Sequence, residues 1–348
     1  MSTTLVTGIY FSDREGELGG RSWQEQYYFS SLQNIWNFGL PMVIYCDDRG
    51  YNKVKRFMKY LDLLETGNRY KIIKSELGDF KFKDLIYDHR QRTIEHQKEL
   101  VKERQKTNPD EPGFFHARCE ILCHRKLYFV KDASELNPFE TENFCWIDSG
   151  ITHWALTPFS KGGVEINNFF SKKHYYPYNE NNIFTPEIGV GLDKIITDHG
   201  MFEFKHSNIW YSSHHLKVLK DFLISEYGLP DSLDSSIRYQ LVGGVIGLQP
   251  KEFDQLFEFY EKGLKLLANT MPPNTDFFTE EIILSAYYLL RKPFTIHFQD
   301  WPHDGENDPA FVDYGAENEM RKSMIQFYKV WDILKTHAPK DIPEYRSA

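Results

Sequence analysis

The first seventy or so residues alternate between short apolar runs and segments of helical periodicity, which restricts the folds open to the chain. Residues 5–11 and 42–46 have the β-branched and aromatic composition of strands. Apolar residues recur at helical spacing in residues 23–38 and 54–64, and residues 70–73 predict a third strand. This order is typical of right-handed crossover units. We therefore expect an α/β fold with a Rossmann-like, mostly parallel central sheet flanked by helices.

A further apolar run, residues 144–150, reads Phe-Cys-Trp-Ile-Asp-Ser-Gly. Four consecutive hydrophobic residues predict a strand that is buried on both faces, and Asp148 follows where that strand leaves the sheet. Ligands of open α/β sheets bind beyond the carboxyl ends of the strands. Asp148 is therefore the leading candidate for a functional residue, and a role as a turn or helix cap is the alternative.

The second half of the chain is less regular. Residues 239–248 predict a strand, a glycine turn at Gly243 and Gly244, and a second strand. Helices are expected from Pro250 and from Glu280, and a last strand at residues 294–298. Residues 157–182 are rich in Gly, Asn, Tyr and Lys and have weak periodicity, which indicates a long functional loop or a poorly ordered insertion.

Composition excludes several classes of protein. The formal net charge of −9 makes nucleic acid an unlikely partner, because phosphate-binding surfaces need an excess of Lys and Arg. No run of 18 apolar residues occurs, so we expect no transmembrane segment and a soluble, cytoplasmic protein. The chain also lacks the glycine-rich motifs of dinucleotide dehydrogenases and P-loop enzymes.

The order of these motifs resembles that of GT-A glycosyltransferases, and specifically of the HtrL/YibB-type bacterial proteins. Residues 146–150, Trp-Ile-Asp-Ser-Gly, are similar to the Trp-Ile-Asp-Ala-Gly-like stretch of those proteins. Residues 4–8, 43–45 and 243–247 fit the same pattern. The resemblance extends over roughly residues 3 to 298.

The resemblance implies one GT-A-like domain over residues 1–348. Its nucleotide-binding half would be residues 1–150, its less regular acceptor and catalytic half residues 151–310, and its C-terminal helical tail residues 311–348. The implied activity is transfer of a sugar from a nucleotide-sugar donor, a UDP-sugar, to a hydroxyl acceptor on a glycan or another biomolecule.

The resemblance also implies a divalent metal, Mn²⁺ or Mg²⁺, that bridges the diphosphate of the donor and offsets its charge. In GT-A enzymes a strand-end Asp-x-Asp motif holds this metal. Asp148 would be its first aspartate, but Gly150 replaces the second. His297 and His303 are the candidates for completing the metal site, and positively charged side chains are the alternative to a metal.

Other site residues follow from the same resemblance. Glu280 and Glu281 would act with Asp148 in catalysis by facing the reacting sugar or the acceptor hydroxyl, although glutamates also stabilise helix N-termini. The residues expected to bind the diphosphate, base and ribose of the donor are Thr7, Gly8, Asp47, Asp48, Arg118, Arg125, Lys126, Trp146 and Gly244.

Two other functions remain open from the sequence. The chain could be a noncatalytic nucleotide- or sugar-binding protein, since the second aspartate is missing. It could also be a metal-dependent hydrolase or nucleotidyltransferase, because a strand-end Asp with distant histidines suits phosphate chemistry. The donor sugar, the acceptor, the stereochemistry of transfer and the oligomeric state are not specified by the sequence.

Overall fold

The computed structural model describes residues 2–10, 24–64, 69–96, 114–151, 185–206, 213–230, 240–270, 280–298 and 334–338. Several predictions lie outside these residues. They are the loop at residues 157–182, His303 and most of the C-terminal tail. The side chains of Arg118 and His297 also lie outside the described part, although both residues belong to described elements.

The described residues form a sheet of seven strands: β1 (Thr3–Ile9), β2 (Met42–Cys46), β3 (Tyr70–Lys74), β4 (Asn143–Ile147), β5 (Met201–His206), β6 (Gln240–Leu248) and β7 (Phe294–Phe298). Their order in the sheet is β3-β2-β1-β4-β6-β5-β7. Strand β6 is antiparallel to both of its neighbours, and every other pair is parallel. The mostly parallel α/β fold predicted from the sequence is confirmed.

Residues of each strand alternate between two hydrophobic clusters, one on each face of the sheet. Helices contribute to both clusters, so both faces of the sheet are covered. The helices are α1 (Gln24–Trp36), α2 (Asp48–Leu64), α3 (Lys83–His96), α4 (Phe114–Leu136), α5 (Pro186–His199), α6 (Ser213–Tyr227), α7 (Phe253–Thr270) and α8 (Glu280–Arg291). In β1, Leu5 belongs to the cluster that includes residues of α1, α2 and α5, whereas Val6 belongs to the one that includes residues of α4, α6, α7 and α8. Among the helices of the described ranges, none has the length and apolar character of a membrane span.

Strand β4 is buried over its whole length, as its sequence predicts. Cys145 and Ile147 contribute to one hydrophobic cluster, and Phe144 and Trp146 to the other. The strand lies between β1 and β6, near the centre of the sheet. The carboxyl end of β4 therefore lies at the middle of one edge of the sheet, and Asp148 is the next residue.

The prediction of a glycine turn within residues 239–248 is wrong. Strand β6 extends from Gln240 to Leu248 and contains both glycines, and its pairing with β5 shifts register there, from Ile246 opposite Glu203 to Val242 opposite Phe204. A Cβ on Gly243 would lie 2.0 Å from Oε1 of Glu280. The glycine therefore permits close approach of another element, which is the second common use of glycine within a strand. Helix α5 and strand β5 were not predicted from the mixed region that contains them.

The order of the strands creates a switch point in the topology. From β1 the chain adds β2 and β3 on one side, and then returns to add β4 on the other side of β1. Crossover connections on the two sides diverge there and leave a crevice beyond the carboxyl ends of β1 and β4. The fold thus provides a ligand crevice at Asp148.

Candidate functional site

A pocket of about 270 Å³ lies at the carboxyl ends of β1 and β4, at the switch point. Successive residues of a strand point to opposite faces of the sheet. Gly8 and Tyr10, at the end of β1, therefore lie on the face covered by α4, as do Trp146 and Asp148 at the end of β4. Helix α4 closes that face. The lining residues are Gly8, Tyr10, Tyr28, Leu122, Cys123, Lys126, Trp146, Asp148, Ser149, Gly150 and Ile151.

Asp148 is held in the first turn after β4. Its backbone N–H donates to the carbonyl of Gly244 (2.8 Å), and its own carbonyl accepts from the N–H of Ile151 (2.9 Å). The indole Nε1 of Trp146 donates to Oδ1 of Asp148 at 2.7 Å. The side chain of Asp148 is 37% exposed, so the carboxylate is fixed on the protein side and accessible from the pocket.

Lys126 places a buried ammonium beside this carboxylate. Its Nζ lies 3.1 Å from Oδ1 of Asp148 and 2.7 Å from Oε1 of Glu280, and the side chain is 9% exposed. It also donates to the carbonyl of Gly243 (3.1 Å). Burial alone would lower the pKa of Lys126, but the two carboxylates hold that pKa well above its usual value. Lys126 is therefore charged throughout the physiological pH range.

The ammonium of Lys126 donates hydrogen bonds to Oδ2 of Asp148 (3.3 Å) and to the carbonyl of Gly243 (3.1 Å), and it forms an ion pair with Glu280. A phosphate that contacted this ammonium would compete with these three groups. Because a buried charge that loses its partner is costly, the arrangement favours keeping all three contacts. The predicted direct contact between Lys126 and a diphosphate is therefore not favoured by this geometry.

Two further carboxyl groups lie behind Lys126, away from the pocket lining. Burial raises the pKa of Glu280 to about 7, although the Lys126 ammonium acts in the opposite direction. Glu203 on β5 is fully buried; burial, and to a lesser extent Glu280 and Glu281, hold its pKa well above the usual range.

Aromatic rings form one wall of the pocket. Phe129 stacks between Tyr10 and Trp146, with ring centroids 6.1 Å from each. Gly8 lies against this wall, because a Cβ there would be 3.1 Å from the Trp146 ring and 3.3 Å from the Tyr10 ring. The absence of a side chain at Gly8 keeps the pocket open. Aromatic faces beside a carboxylate are suited to a ligand with both apolar and hydroxyl-bearing surfaces.

The structure brings four of the predicted site residues together. Gly8, Lys126, Trp146 and Asp148 all line the pocket, and Gly244 supplies the carbonyl that fixes Asp148. These residues come from β1, α4, β4 and β6, or from the turn that follows β4. Their assembly depends on the sheet order.

Glu280 and Glu281 do not line the pocket, so a ligand there does not meet them directly. Glu280 is buried against Gly243 and contacts Lys126, and Glu281 accepts a hydrogen bond from the N–H of Gly243 (3.0 Å). Glu280 contacts the lysine from behind, and Glu281 binds the backbone of β6. Their contact with a reacting sugar stays a prediction.

Four other residues that were predicted to contact the donor have structural roles. Thr7 is fully buried within the sheet. Asp47 accepts from the N–H of Gly50 (2.7 Å) near the start of α2, and the exposed Asp48 pairs with Lys74. Arg125 donates to the carbonyl of Glu76 and to the hydroxyl of Ser75 (2.6 Å), and it thereby fixes the segment after β3. None of these residues lines the described pocket.

The described residues do not fit the predicted divalent metal. Asp148 is the one pocket-lining carboxylate, and both of its oxygens contact the Lys126 ammonium. His297 lies on β7, three strand spacings from β4, a separation of roughly 14 Å. Within the described ranges, no three His, Cys, Asp or Glu residues are arranged to hold a metal.

Several pocket residues were not predicted from the sequence. Tyr10 directly follows β1, and Cys123 lies one helical turn before Lys126 on the same side of α4. Both could have been found by applying strand alternation from Gly8 and helical spacing from Lys126. Ser149, whose hydroxyl donates to the carbonyl of Gly8 (2.9 Å), ties the turn after β4 to β1.

Solved structures similar to this chain share little sequence with it. A 4-diphosphocytidyl-2C-methyl-D-erythritol synthase from Anaerococcus prevotii DSM 20548 is 7% identical over 93% of this chain and 97% of that chain, with a TM-score of 0.36. Core-mannan synthase A (CmsA/Ktr4) from Aspergillus fumigatus, in its Mn/GDP form, is 10% identical over 86% and 73%, with a TM-score of 0.42. These similarities are too distant to support an argument about activity.

A comparison with curated proteins finds no match. A family model described as "Bacterial protein of unknown function (HtrL_YibB)" matches residues 1–214. The match covers more than half of the chain, includes β1 to β5 and Asp148, and confirms the resemblance inferred from the motifs. The chain therefore belongs to the HtrL/YibB family of bacterial proteins.

Proposed function

We propose that this chain transfers a sugar from a nucleotide-sugar donor, a UDP-sugar, to a hydroxyl acceptor, and that the donor binds in the pocket beside Asp148. The observation that carries the proposal is the position of this carboxylate at the switch point between β1 and β4. Nucleotides bind at such points in open α/β sheets. The resemblance to GT-A glycosyltransferases is what favours a sugar nucleotide over other nucleotides.

The pocket offers contacts for the two parts of such a donor. The Tyr10 and Trp146 rings supply apolar surface for a base or a sugar ring, and Asp148 supplies an acceptor for hydroxyl groups.

Calorimetric titration with UDP, followed by a mass-spectrometric screen of nucleotide sugars, tests this function. We expect UDP to bind and at least one UDP-sugar to be consumed with release of UDP. Asp148→Asn removes the charge of the pocket carboxylate with little change of shape, so binding should weaken about ten- to a hundredfold, as expected for a hydrogen bond to a charged group. Donor turnover should be lost.

Asp221→Asn is the matched control, because Asp221 is exposed on α6 and does not line the pocket. It should bind UDP and turn over the donor like the unmodified protein. If UDP binds but no nucleotide sugar is consumed, the chain is a binding protein rather than a transferase. Absence of UDP binding, or full donor turnover by Asp148→Asn, would contradict the proposal.

A further inference from the structure

The predicted metal and the observed side chains compete for the same carboxylate. A divalent cation takes carboxylate oxygens as ligands, and Mg²⁺ is bound through one or two carboxylates together with substrate phosphates. Here Gly150 stands in the place of the second acid. Asp148 already accepts from Trp146 and contacts Lys126, so a cation approaching it would meet an ammonium group.

The position of this ammonium is fixed from the protein side. Glu280 is 1% exposed and lies 2.7 Å from Nζ of Lys126, and the carbonyl of Gly243 accepts a hydrogen bond at 3.1 Å. Withdrawing the lysine would remove the partner of the buried Glu280 carboxyl group and of the Gly243 carbonyl, and buried polar groups without partners are costly. The cation beside Asp148 is therefore part of the fold and is present whether or not a ligand is bound.

We propose that Lys126 permanently replaces a divalent metal at this site, and that Asp148 meets the donor directly by accepting hydrogen bonds from its hydroxyl groups. Lys126 is a positioning residue: it orients Asp148, and its own ammonium stays on acceptors of the protein. Carboxylate oxygens accept hydrogen bonds from the hydroxyls of ribose or of a hexose. Donor binding then needs no added metal. This inference rests on the proposed function.

Calorimetry of UDP and UDP-glucose in EDTA, and again in Mn²⁺, tests the inference. We expect dissociation constants that agree within about threefold between the two media. Asp148→Asn should weaken binding by the same factor, about ten- to a hundredfold, in both. Binding that strengthens more than tenfold in Mn²⁺, and only when Asp148 is intact, would overturn the inference and leave the proposed function in place. No binding in either medium would overturn both.

A direct measurement of metal uptake is independent of activity. The paramagnetic resonance signal of free Mn²⁺ is followed during titration into the protein, with and without UDP. The unmodified chain and Asp148→Asn should take up the same amount of Mn²⁺. Uptake that disappears in Asp148→Asn would show a metal at this carboxylate and contradict the inference.

Variants of the lysine test its positioning role. Lys126→Met alone would leave the buried Glu280 carboxyl group without its partner, so Lys126→Met is combined with Glu280→Gln, and circular dichroism checks the fold. We expect this double variant to bind UDP-glucose at least tenfold more weakly in EDTA. Lys126→Arg, which retains a cation, should bind more tightly than the double variant. Unchanged binding by a folded double variant would contradict a role for Lys126.

Discussion

Gly243 is the residue on which the geometry behind the pocket depends. It lies in the middle of β6, where Glu280 occupies the space that a side chain would fill. Its carbonyl accepts from Lys126, and its N–H donates to Glu281. One position without a side chain thus allows α8 to approach the sheet and hold the lysine that contacts Asp148.

Gly243→Ala should destabilise the protein and disturb the site. The added Cβ would lie 2.0 Å from Oε1 of Glu280, so this carboxyl group and its lysine partner must move. We expect the free energy of unfolding, measured in urea, to fall by about 1–3 kcal/mol. Glu280→Ala removes the clashing atoms. In a double-mutant cycle the combined loss should therefore be smaller than the sum of the single losses, and simple additivity would contradict this explanation.

At the scale of elements, α5 packs unusually closely on its neighbours through two glycines. A Cβ on Gly189 would lie 2.2 Å from the carbonyl oxygen of Phe38, and one on Gly191 would lie 2.1 Å from that of Leu334. The second contact joins the helix to residues 334–338 near the end of the chain. Backbone approach of this kind sets the position of α5 against the sheet.

Gly191→Ala should lower the melting temperature, although alanine is the better helix former by about 1 kcal/mol. The new methyl group would clash with backbone rather than with a movable side chain, so we expect a net loss of about 1–3 kcal/mol. Gly78→Ala is the control, because a Cβ at Gly78 has nothing within 4 Å. Equal melting temperatures for the Gly191 variant and the unmodified protein would contradict the close packing of α5 on Leu334.

The whole molecule buries carboxyl groups between β5, β6 and α8, which couples its stability to pH. Burial raises the pKa of Glu280 from 4.5 to about 7, and the pKa of Glu203 is also held well above 4.5. The folded state therefore keeps protons that the unfolded chain releases above pH 4.5. The stability that they contribute is fully present below about pH 4.5 and is lost as pH rises through about 7 and beyond.

Glu203→Gln tests this dependence, because the amide cannot ionise. We expect the free energy of unfolding to fall less steeply between pH 5 and pH 8 in the variant, by on the order of 1–3 kcal/mol across that range. Urea titrations at several pH values measure the difference. Glu258→Gln, at an exposed position on α7, should leave the slope unchanged. Parallel pH curves for Glu203→Gln and the unmodified protein would show that Glu203 does not titrate as proposed.

The sequence by itself determined the crossover half of the sheet, the burial of β4 and the position of Asp148 at its end. These features follow from local periodicity, which reflects the faces that a single strand or helix presents to its surroundings. Helix α5 and strand β5 were not predicted, because they lie in a region of mixed composition. The glycines of β6 were misread as a turn because local sequence does not show which residue will approach them.

Only the tertiary structure decided what surrounds Asp148. Lys126 precedes it by 22 residues and contacts it because α4 packs on the face of the sheet where Asp148 emerges. Glu280 reaches the same lysine from α8, through the space left by Gly243. Contacts between distant segments depend on strand order and helix packing. For this reason the sequence predicted a carboxylate beside a metal, whereas the fold supplies that carboxylate with a buried ammonium.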